Sequence, residues 1–185
     1  FAQGTDNTTI ENIHMYSGGH HVVGINTSRY SVFRNSLVHN ESWYPYNECA
    51  TDPSGDCGYR NISMSGEGAA AGRTLVERVK STYGAAFGAP HASRVGASGG
   101  GFRIDTPYTI VRYSEAYGSA TYGFMLGGSI SGDCVASLGA PCYTKEIHMY
   151  NNTSYHNGWG HEDDMPIAVG LGVGFYFYNT YVCQS

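Results

Sequence analysis

Charged residues are scarce in this chain of 185 residues: they make up 14% of it, and only two, Lys80 and Lys145, are lysines. Leucine is also rare, with five residues against 21 for valine and isoleucine together. Helix bundles and coiled coils draw on leucine, glutamate and lysine, so this composition excludes them. A hydrophobic fraction of 41% with a net charge of −5 excludes a disordered chain. The scattered basic residues and a pI near 5.8 argue against a nucleic-acid partner.

Long apolar runs and hairpin signals are missing as well. The most apolar segment, residues 167–178, is too short and too rich in glycine to be a membrane span. Of the two strongest hairpin dipeptides, Asn-Gly and Asp-Gly, the sequence contains a single copy, Asn157-Gly158. What remains is β-branched and aromatic residues with 26 glycines, which together predict an all-β fold. We expect a single domain over residues 1–185, either a mature product or a segment of a longer secreted chain.

Sequons of the form Asn-x-Ser/Thr are over-represented. Six occur among 11 asparagines and 31 serines and threonines, whereas random placement predicts about two. The excess predicts a secreted protein with covalent N-glycans on surface turns. The alternative is that such pairs are simply favoured turn chemistry in a β protein. The candidate glycosylation sites are Asn7, Asn26, Asn40, Asn61, Asn151 and Asn152.

The five cysteines agree with an oxidising compartment. Cys49 and Cys57 form one Cys-x7-Cys pair and Cys134 and Cys142 another, each around a polar segment with glycine and proline. This pattern is typical of loops closed by their own disulfides, although four cysteines can pair in three ways and the sequence leaves the choice open. A zinc site usually needs closer spacing. The remaining Cys183 pairs outside this segment, joins another chain or stays a buried thiol.

Loose repeats run along the chain. Ile13-His-Met-Tyr16 recurs at residues 147–150, and segments starting at Val32, Val76, Ile110 and His148 share an apolar start and a Tyr/His-Gly/Asn ending. The five starts, at 13, 32, 76, 110 and 148, are 19, 44, 34 and 38 residues apart. These spacings fit rungs of about 20 residues with insertions. The two Cys loops fall within the 44- and 38-residue steps, so we expect insertions on one face.

Stacked rungs favour a β-solenoid over a sandwich or a barrel. The glycine-rich segments 66–72 and 96–101 then fit tight corners or close backbone approaches. Segments 31–40 and 152–158 resemble the repeats of right-handed parallel β-helix proteins of the pectate-lyase-like superfamily, and segment 117–127 is similar to the β-helix region of extracellular proteins related to fibrocystin. The resemblance implies a right-handed parallel β-helix with loop insertions, in an extracellular, carbohydrate-facing molecule.

The densest acidic cluster is His161-Glu-Asp-Asp164. In a loop, Glu162, Asp163 and Asp164 could converge on Ca²⁺, whereas on a strand only Glu162 and Asp164 would share a face. No alternating-Asp loop with a central glycine is present. A solvated acidic loop is therefore the simpler interpretation, and Ca²⁺ is a candidate ligand that the fold does not require.

Lyases of the superfamily that the chain resembles remove a proton next to a uronate carboxylate, with Arg or Lys as the base and a cation to neutralise the carboxylate. Arg34, Arg78 and Arg112 share one position in the repeats, which predicts an outward basic row with Lys80 beside it. If the chain is a lyase, Arg112, Arg78 and Lys80 are its candidate catalytic residues. The alternative is ordinary solvent-facing arginines paired with neighbouring glutamates.

The sixteen tyrosines are a separate signal, because exposed aromatic rings stack on sugars and anchor protein interfaces. Trp43 and Tyr44, just before the first Cys loop, are the candidate contact for a carbohydrate or a partner protein.

Two functions from different classes follow. The first is an extracellular, glycosylated structural or interaction protein, a subunit of a fibre, coat or matrix that associates with itself, with other extracellular proteins or with glycans. The alternative is a polysaccharide-active enzyme, a lyase or hydrolase, or a fragment of one. The sequence leaves open whether the protein is catalytic.

Overall fold

A computed structural model of the protein describes residues 2–16, 21–26, 28–39, 60–65, 72–82, 100–119, 122–126, 147–157 and 173–177. Within these ranges every regular element is a β-strand and every strand pair is parallel, which confirms the all-β prediction. In the same ranges no helix is long and apolar enough to cross a membrane.

Within the described residues, fourteen strands form two parallel sheets. In chain order they are β1 Ala2–Gln3, β2 Thr9–Glu11, β3 His14–Tyr16, β4 His21–Asn26, β5 Val32–His39, β6 Arg60–Ser65, β7 Leu75–Thr82, β8 Gly100–Ile104, β9 Ile110–Arg112, β10 Glu115–Tyr117, β11 Tyr122–Leu126, β12 His148–Tyr150, β13 Thr153–Tyr155 and β14 Val173–Phe177. The first sheet has the order β1-β4-β6-β8-β11-β14, and the remaining strands form the second sheet. Along the sequence, strands of the first sheet alternate with strands of the second sheet. We call one passage of the chain through the first sheet and then the second sheet a coil.

Five coils stack in register in the second sheet. Their first strand residues are Thr9, Val32, Leu75, Ile110 and His148. Equivalent positions are therefore 23, 43, 35 and 38 residues apart. The predicted repeat starts at 32, 110 and 148 are confirmed, whereas the start at 76 is wrong by one residue and the start at 13 by four.

The most exact sequence match in the chain does not reflect the register. His14 pairs with Leu37 in β5, whereas His148 pairs with Ile110, the partner of Leu75. The identical four-residue segments therefore occupy neighbouring places along the coil, one on each side of a bend in the second sheet. The expectation that the two copies of this segment mark the same place in the repeat is therefore wrong, because alternating Ile-x-Met patterns suit both places.

That bend is a column of residues in the left-handed region. Asn12, Asn35, Arg78, Tyr113 and Asn151 stack on one another, with φ between 50° and 56°. Asparagine tolerates this conformation, whereas arginine and tyrosine adopt it at a cost of about 1–2 kcal/mol. Regular stacking of the neighbouring strands must offset that cost.

A second left-handed column marks the corner two residues before the second-sheet strands β2, β5, β7 and β9. Its members are Asn7, Tyr30, Arg73 and Tyr108, with φ of 55–57°. A hydroxyl residue stands on each side of the corner in three coils, at 5 and 8, 28 and 31, and 106 and 109. Except for Ser31, whose buried hydroxyl has no hydrogen-bond partner among the described residues, these hydroxyls bond to one another or to nearby carbonyls, as Thr109 Oγ1 does to the Thr106 carbonyl at 3.0 Å. Ser/Thr side chains thus replace backbone partners where the chain turns.

The core lies between the sheets. From the first sheet, Phe102 and Phe124 are fully buried with ring centroids 4.5 Å apart, and Phe175 stacks on Phe124 at 5.1 Å. From the second sheet, the stacked side chains of Phe33 and Val76 face them and are also fully buried. Aligned rows of apolar side chains explain why these strands form: each coil buries its inward face against the next.

Glycine permits close approaches at the positions the sequence indicated. At Gly72, with φ of +106°, a Cβ would lie 1.9 Å from the Pro107 carbonyl oxygen. At Gly101 it would lie 2.6 Å from the Gly123 oxygen. Both glycine-rich segments therefore contain obligatory glycines, as predicted.

The longer connections leave the coils at two different corners. Residues 40–59, which contain Cys49 and Cys57, follow the second-sheet strand β5. Residues 127–146, which contain Cys134 and Cys142, follow the first-sheet strand β11. Both segments lie outside the described residues, so the expectation that the two insertions lie on one face stays a prediction.

Candidate interaction surface

The outer face of the second sheet carries most of the described charged and tyrosine side chains. Along each coil the inward residue is flanked by outward ones, so the exposed positions form columns that run across the coils. Two columns lie on each side of the left-handed bend. The charge column comprises Glu11, Arg34, Glu77, Arg112 and Tyr150.

Glu77 is the centre of the charge column. Only 5% of its side chain is exposed, and its carboxylate lies 2.7 Å from Arg112 Nη2 and 4.0 Å from Arg34 Nη1. Arg34 also donates to Glu11 at 2.6 Å, and Arg112 Nη1 lies 3.0 Å from the Tyr150 hydroxyl. The hydrogen bond to Tyr150, and then that to Glu77, raises the pKa of Arg112. Charges of opposite sign alternate across the coils and neutralise one another.

The predicted basic row is therefore wrong. Arg34 and Arg112 do share one column, but Glu77 stands between them, and Arg78 belongs to the left-handed bend beside Asn35 and Tyr113. Arg78 donates to Asn35 Oδ1 at 2.7 Å and to Glu77 at 3.1 Å. The sequence comparison matched Arg78 with Arg34 and Arg112, whereas the residue in register with those two arginines is Glu77.

On the other side of the bend, Lys80, Glu115 and Tyr155 form a compact cluster. Lys80 Nζ lies 2.6 Å from Glu115 Oε1, and the Tyr155 hydroxyl donates to the same oxygen. The hydrogen bond to Glu115 raises the pKa of Lys80. Burial works against the ionised form of Glu115, but the hydrogen bonds from Lys80 and Tyr155 outweigh it and lower the Glu115 pKa. Both groups are therefore held in their charged forms.

Aromatic side chains form the outermost column of this face. Tyr16 is 63% exposed and contacts the rings of His14 and His39, with centroids 4.2 and 5.4 Å apart. Across the coils, Tyr117 and Tyr155 are 4.9 Å apart, close to the spacing of neighbouring strands. We call this set, Tyr16, His39, Tyr117 and Tyr155, the tyrosine column.

Further aromatic groups line the two left-handed columns. Arg73 lies between the rings of Tyr30 and Tyr108, 5.4 and 5.1 Å from their centroids. Tyr113 meets Tyr150 edge-on at 6.2 Å. Tyr30 and Tyr113 are half exposed, so these stacks offer open ring faces as well as internal cation–π contacts.

The sequons fall into two groups. Asn61 is fully buried, and its Nδ2 donates to Ser81 Oγ and the Thr82 carbonyl at 2.8 Å. Asn152 Nδ2 donates to the Val111 carbonyl at 2.8 Å, and its Oδ1 accepts from Ser114 N. A glycan replaces one hydrogen of the amide nitrogen, so at Asn61, where both N–H groups donate and the side chain is fully buried, it would break a hydrogen bond and find no room. The glycosylation prediction for Asn61 is therefore contradicted by this fold.

The other sequons lie in different surroundings. Asn7 and Asn151 are exposed, and Asn26 is half-buried. Glycosylation at these asparagines stays a prediction. The remaining predicted site residues lie outside the described residues: Asn40, Trp43, Tyr44, Cys49, Cys57, Cys134, Cys142, Glu162, Asp163, Asp164 and Cys183.

Sequence reasoning missed two features of this surface. Glu77 appeared only as a neighbour of Arg78, although its place after an inward valine predicts an outward position in line with Arg34. The corner pattern Ser/Thr-x-x-Ser/Thr at residues 5–8, 28–31 and 106–109 would have given the correct register. Among the described residues, no group of three or more His, Cys, Asp or Glu side chains could hold a metal ion.

Comparisons with known proteins add nothing to this geometry. No protein-family model, curated protein or solved structure matches this chain.

Proposed function

We propose that the two sheets are walls of a right-handed parallel β-helix and that the protein is an extracellular, glycosylated structural or interaction module. The regular alternation between sheets supports the helix, and parallel connections of this kind are right-handed in nearly all proteins. Its binding surface is the outer face of the second sheet.

The observation that carries this proposal is the in-register stacking of exposed aromatics beside self-neutralised charges. In the tyrosine column, Tyr16 and Tyr155 are 63% and 38% exposed, and Tyr113 of the neighbouring bend is 52% exposed. Ring faces of this kind provide large contact area at low entropic cost. Adjacent charges are already paired within the column, so a partner meets little desolvation penalty from unpaired ions. Such a surface suits a broad contact with a second copy, another extracellular protein or a glycan.

The enzyme alternative has weaker support. A catalytic base must be unprotonated near neutral pH. The hydrogen-bond partners of Lys80 and Arg112 raise the pKa values of both groups and so favour their protonated forms. Catalysis by Arg112, Arg78 and Lys80 stays a prediction that incubation with pectate and Ca²⁺ tests, through the absorbance of unsaturated products.

The experiment for the proposed function is a size measurement on the secreted protein. We expect assemblies by light scattering after size exclusion, and their loss in the double variant Tyr16→Ala and Tyr113→Ala. The matched control, Tyr16→Phe with Tyr113→Phe, keeps both rings and should keep the assemblies. A monodisperse monomer that binds no matrix glycan would overturn the proposal.

A further inference from the structure

Tyr117 and Tyr155 are register partners on neighbouring strands of the second sheet, β10 and β13. Their ring centroids are 4.9 Å apart, and the ring planes are inclined by 41°. This separation is only slightly greater than that between the two rings of a carbon–carbon-linked dityrosine. His156 packs edge-on against both rings, with centroids 5.8 and 5.7 Å away. The two phenols are therefore held near the separation of a covalent product.

The phenol of Tyr155 has a proton acceptor beside it. Its hydroxyl donates to Glu115 Oε1, which also lies 2.6 Å from Lys80 Nζ. Burial works to raise the pKa of Glu115, but the hydrogen bonds from Lys80 and Tyr155 outweigh it and lower that pKa, so the carboxylate is ionised at neutral pH. A phenol that loses an electron becomes a strong acid, and this carboxylate then accepts its proton without any rearrangement.

A second tyrosine pair on neighbouring coils differs in both respects. The rings of Tyr113 and Tyr150 are 6.2 Å apart and meet at 83°. The Tyr150 hydroxyl accepts a hydrogen bond from Arg112 Nη1 at 3.0 Å. A cation at the phenol oxygen opposes the loss of an electron from the ring, because the oxidised phenol is itself positively charged. This pair is therefore a natural control for the first.

We propose that Tyr117 and Tyr155 are a site of oxidative cross-linking, at which a carbon–carbon bond between the two rings joins the fourth coil to the fifth. Hydrogen peroxide, acting through a peroxidase, removes one electron from each ring. Each phenol then loses its proton, that of Tyr155 to Glu115. The two phenoxyl radicals combine through one ortho carbon of each ring, and the hydrogens on those carbons move to the phenol oxygens. Peroxide takes up the two electrons and the two protons and is converted to two molecules of water.

The site is open to such an oxidant. Tyr155 is 38% exposed, and the Tyr117 side chain is partly exposed. The extracellular setting of the proposed function admits peroxide and a peroxidase, whereas the geometry of the two rings is independent of that setting. The new bond closes a loop between residues 117 and 155, which restricts the unfolded chain as a disulfide does. We therefore expect the cross-linked protein to unfold at a higher urea concentration.

The test treats the dilute, full-length chain with hydrogen peroxide and a peroxidase. Dityrosine fluorescence gives the rate of linkage, and peptide mass spectrometry of the monomer fraction identifies the linked residues. Tyr155→Phe keeps the ring and removes the phenol, and Tyr150→Phe is its matched control in the second pair. Glu115→Gln removes the ionised acceptor, whereas Glu115→Asp keeps a carboxylate. Near-ultraviolet circular dichroism checks that each variant is folded.

We expect the Tyr117–Tyr155 link to be about tenfold or more as abundant as a Tyr113–Tyr150 link, because of its shorter separation and its proton acceptor. Tyr155→Phe should abolish the link, and Tyr150→Phe should leave its yield unchanged. Glu115→Gln should slow linkage about tenfold, and Glu115→Asp should restore most of the rate.

Two results would overturn the proposal. Linkage spread over the exposed tyrosines, or equal yields from the two pairs, would show that the ring geometry selects no site. Linkage at the parent rate in folded Glu115→Gln would show that Glu115 is not the proton acceptor. Neither result affects the proposed binding face, because light scattering on the untreated protein measures assembly separately.

Discussion

The two sheets use their side chains differently. In the first sheet, strands such as Tyr122–Leu126 are buried along their whole length and supply the phenylalanine stack of the core. In the second sheet the inward residues are buried, whereas most outward residues are partly or fully exposed and pair into the charge and tyrosine columns, with Glu77 as a buried exception. The comparison shows that core packing determines the side chains of the first sheet, whereas the outward side chains of the second sheet are available for binding.

The largest effect on stability is expected from removing an aromatic ring from the first sheet. Phe124→Ala deletes a fully buried side chain stacked between two others, so we expect a loss of about 3–5 kcal/mol in the free energy of unfolding. Urea unfolding measures it. Phe175→Ala is the matched control: its ring is 41% exposed, and we expect about half that loss or less. Equal losses would contradict the description of Phe124 as the centre of the stack.

In the second sheet, the charge column should be most sensitive at its centre. Glu77→Gln leaves the guanidinium groups of Arg34 and Arg112 without their shared carboxylate, and we expect a loss of about 2 kcal/mol in unfolding free energy. Glu11→Gln removes a single exposed pair and should cost about 0.5 kcal/mol or less. Thermal unfolding of both variants tests this order, which would be reversed or absent if the arginines formed a continuous basic row.

The smallest expected effect is the pH dependence of the Lys80–Glu115 pair. Because the folded-state pKa of Glu115 is lowered below its ordinary 4.5, its contribution is fully present above that value and is lost as pH falls through the folded pKa. The raised pKa of Lys80 makes its contribution present below its ordinary 10.5 and lost as pH rises through the folded pKa. Both groups are partly exposed, so the pair is worth about 0.5 kcal/mol at neutral pH.

Glu115→Gln tests this pair. We expect its stability deficit relative to the parent at pH 7 to disappear in acid, where Glu115 is protonated in both states. Unfolding curves at a series of pH values measure the deficit. A deficit that stays constant as the pH is lowered to the acid end of the series would show that Glu115 contributes by packing and not by charge.

Composition and spacing predicted the coarse fold because they reflect physics repeated in every coil. β-branched residues, glycine at close approaches and spaced repeats all follow from stacking parallel strands. The register was harder to predict, because a match of arginine letters at 34 and 78 was preferred over the match of the inward residues Phe33 and Val76. Side-chain direction, and not letter identity, decides which residues stack.

The candidate site was less predictable than the fold. Tyr30, Arg73 and Tyr113 adopt left-handed backbone conformations that single residues of these types do not signal. The burial of Asn61 depends on Ser81 and Thr82, which are 20 and 21 residues away in the chain. A sequon does not contain that information, so its exposure could not be derived from the local pattern.

The most direct test of the central claim, that the coils stack in this register, is the pattern of nuclear Overhauser effects from the Val76 methyl groups in the labelled protein. The structure predicts strong contacts with the Phe33 ring and with the Val111 methyls, its partners in the neighbouring coils. Contacts with Val32 and Ile110 instead would restore the basic row and contradict the account.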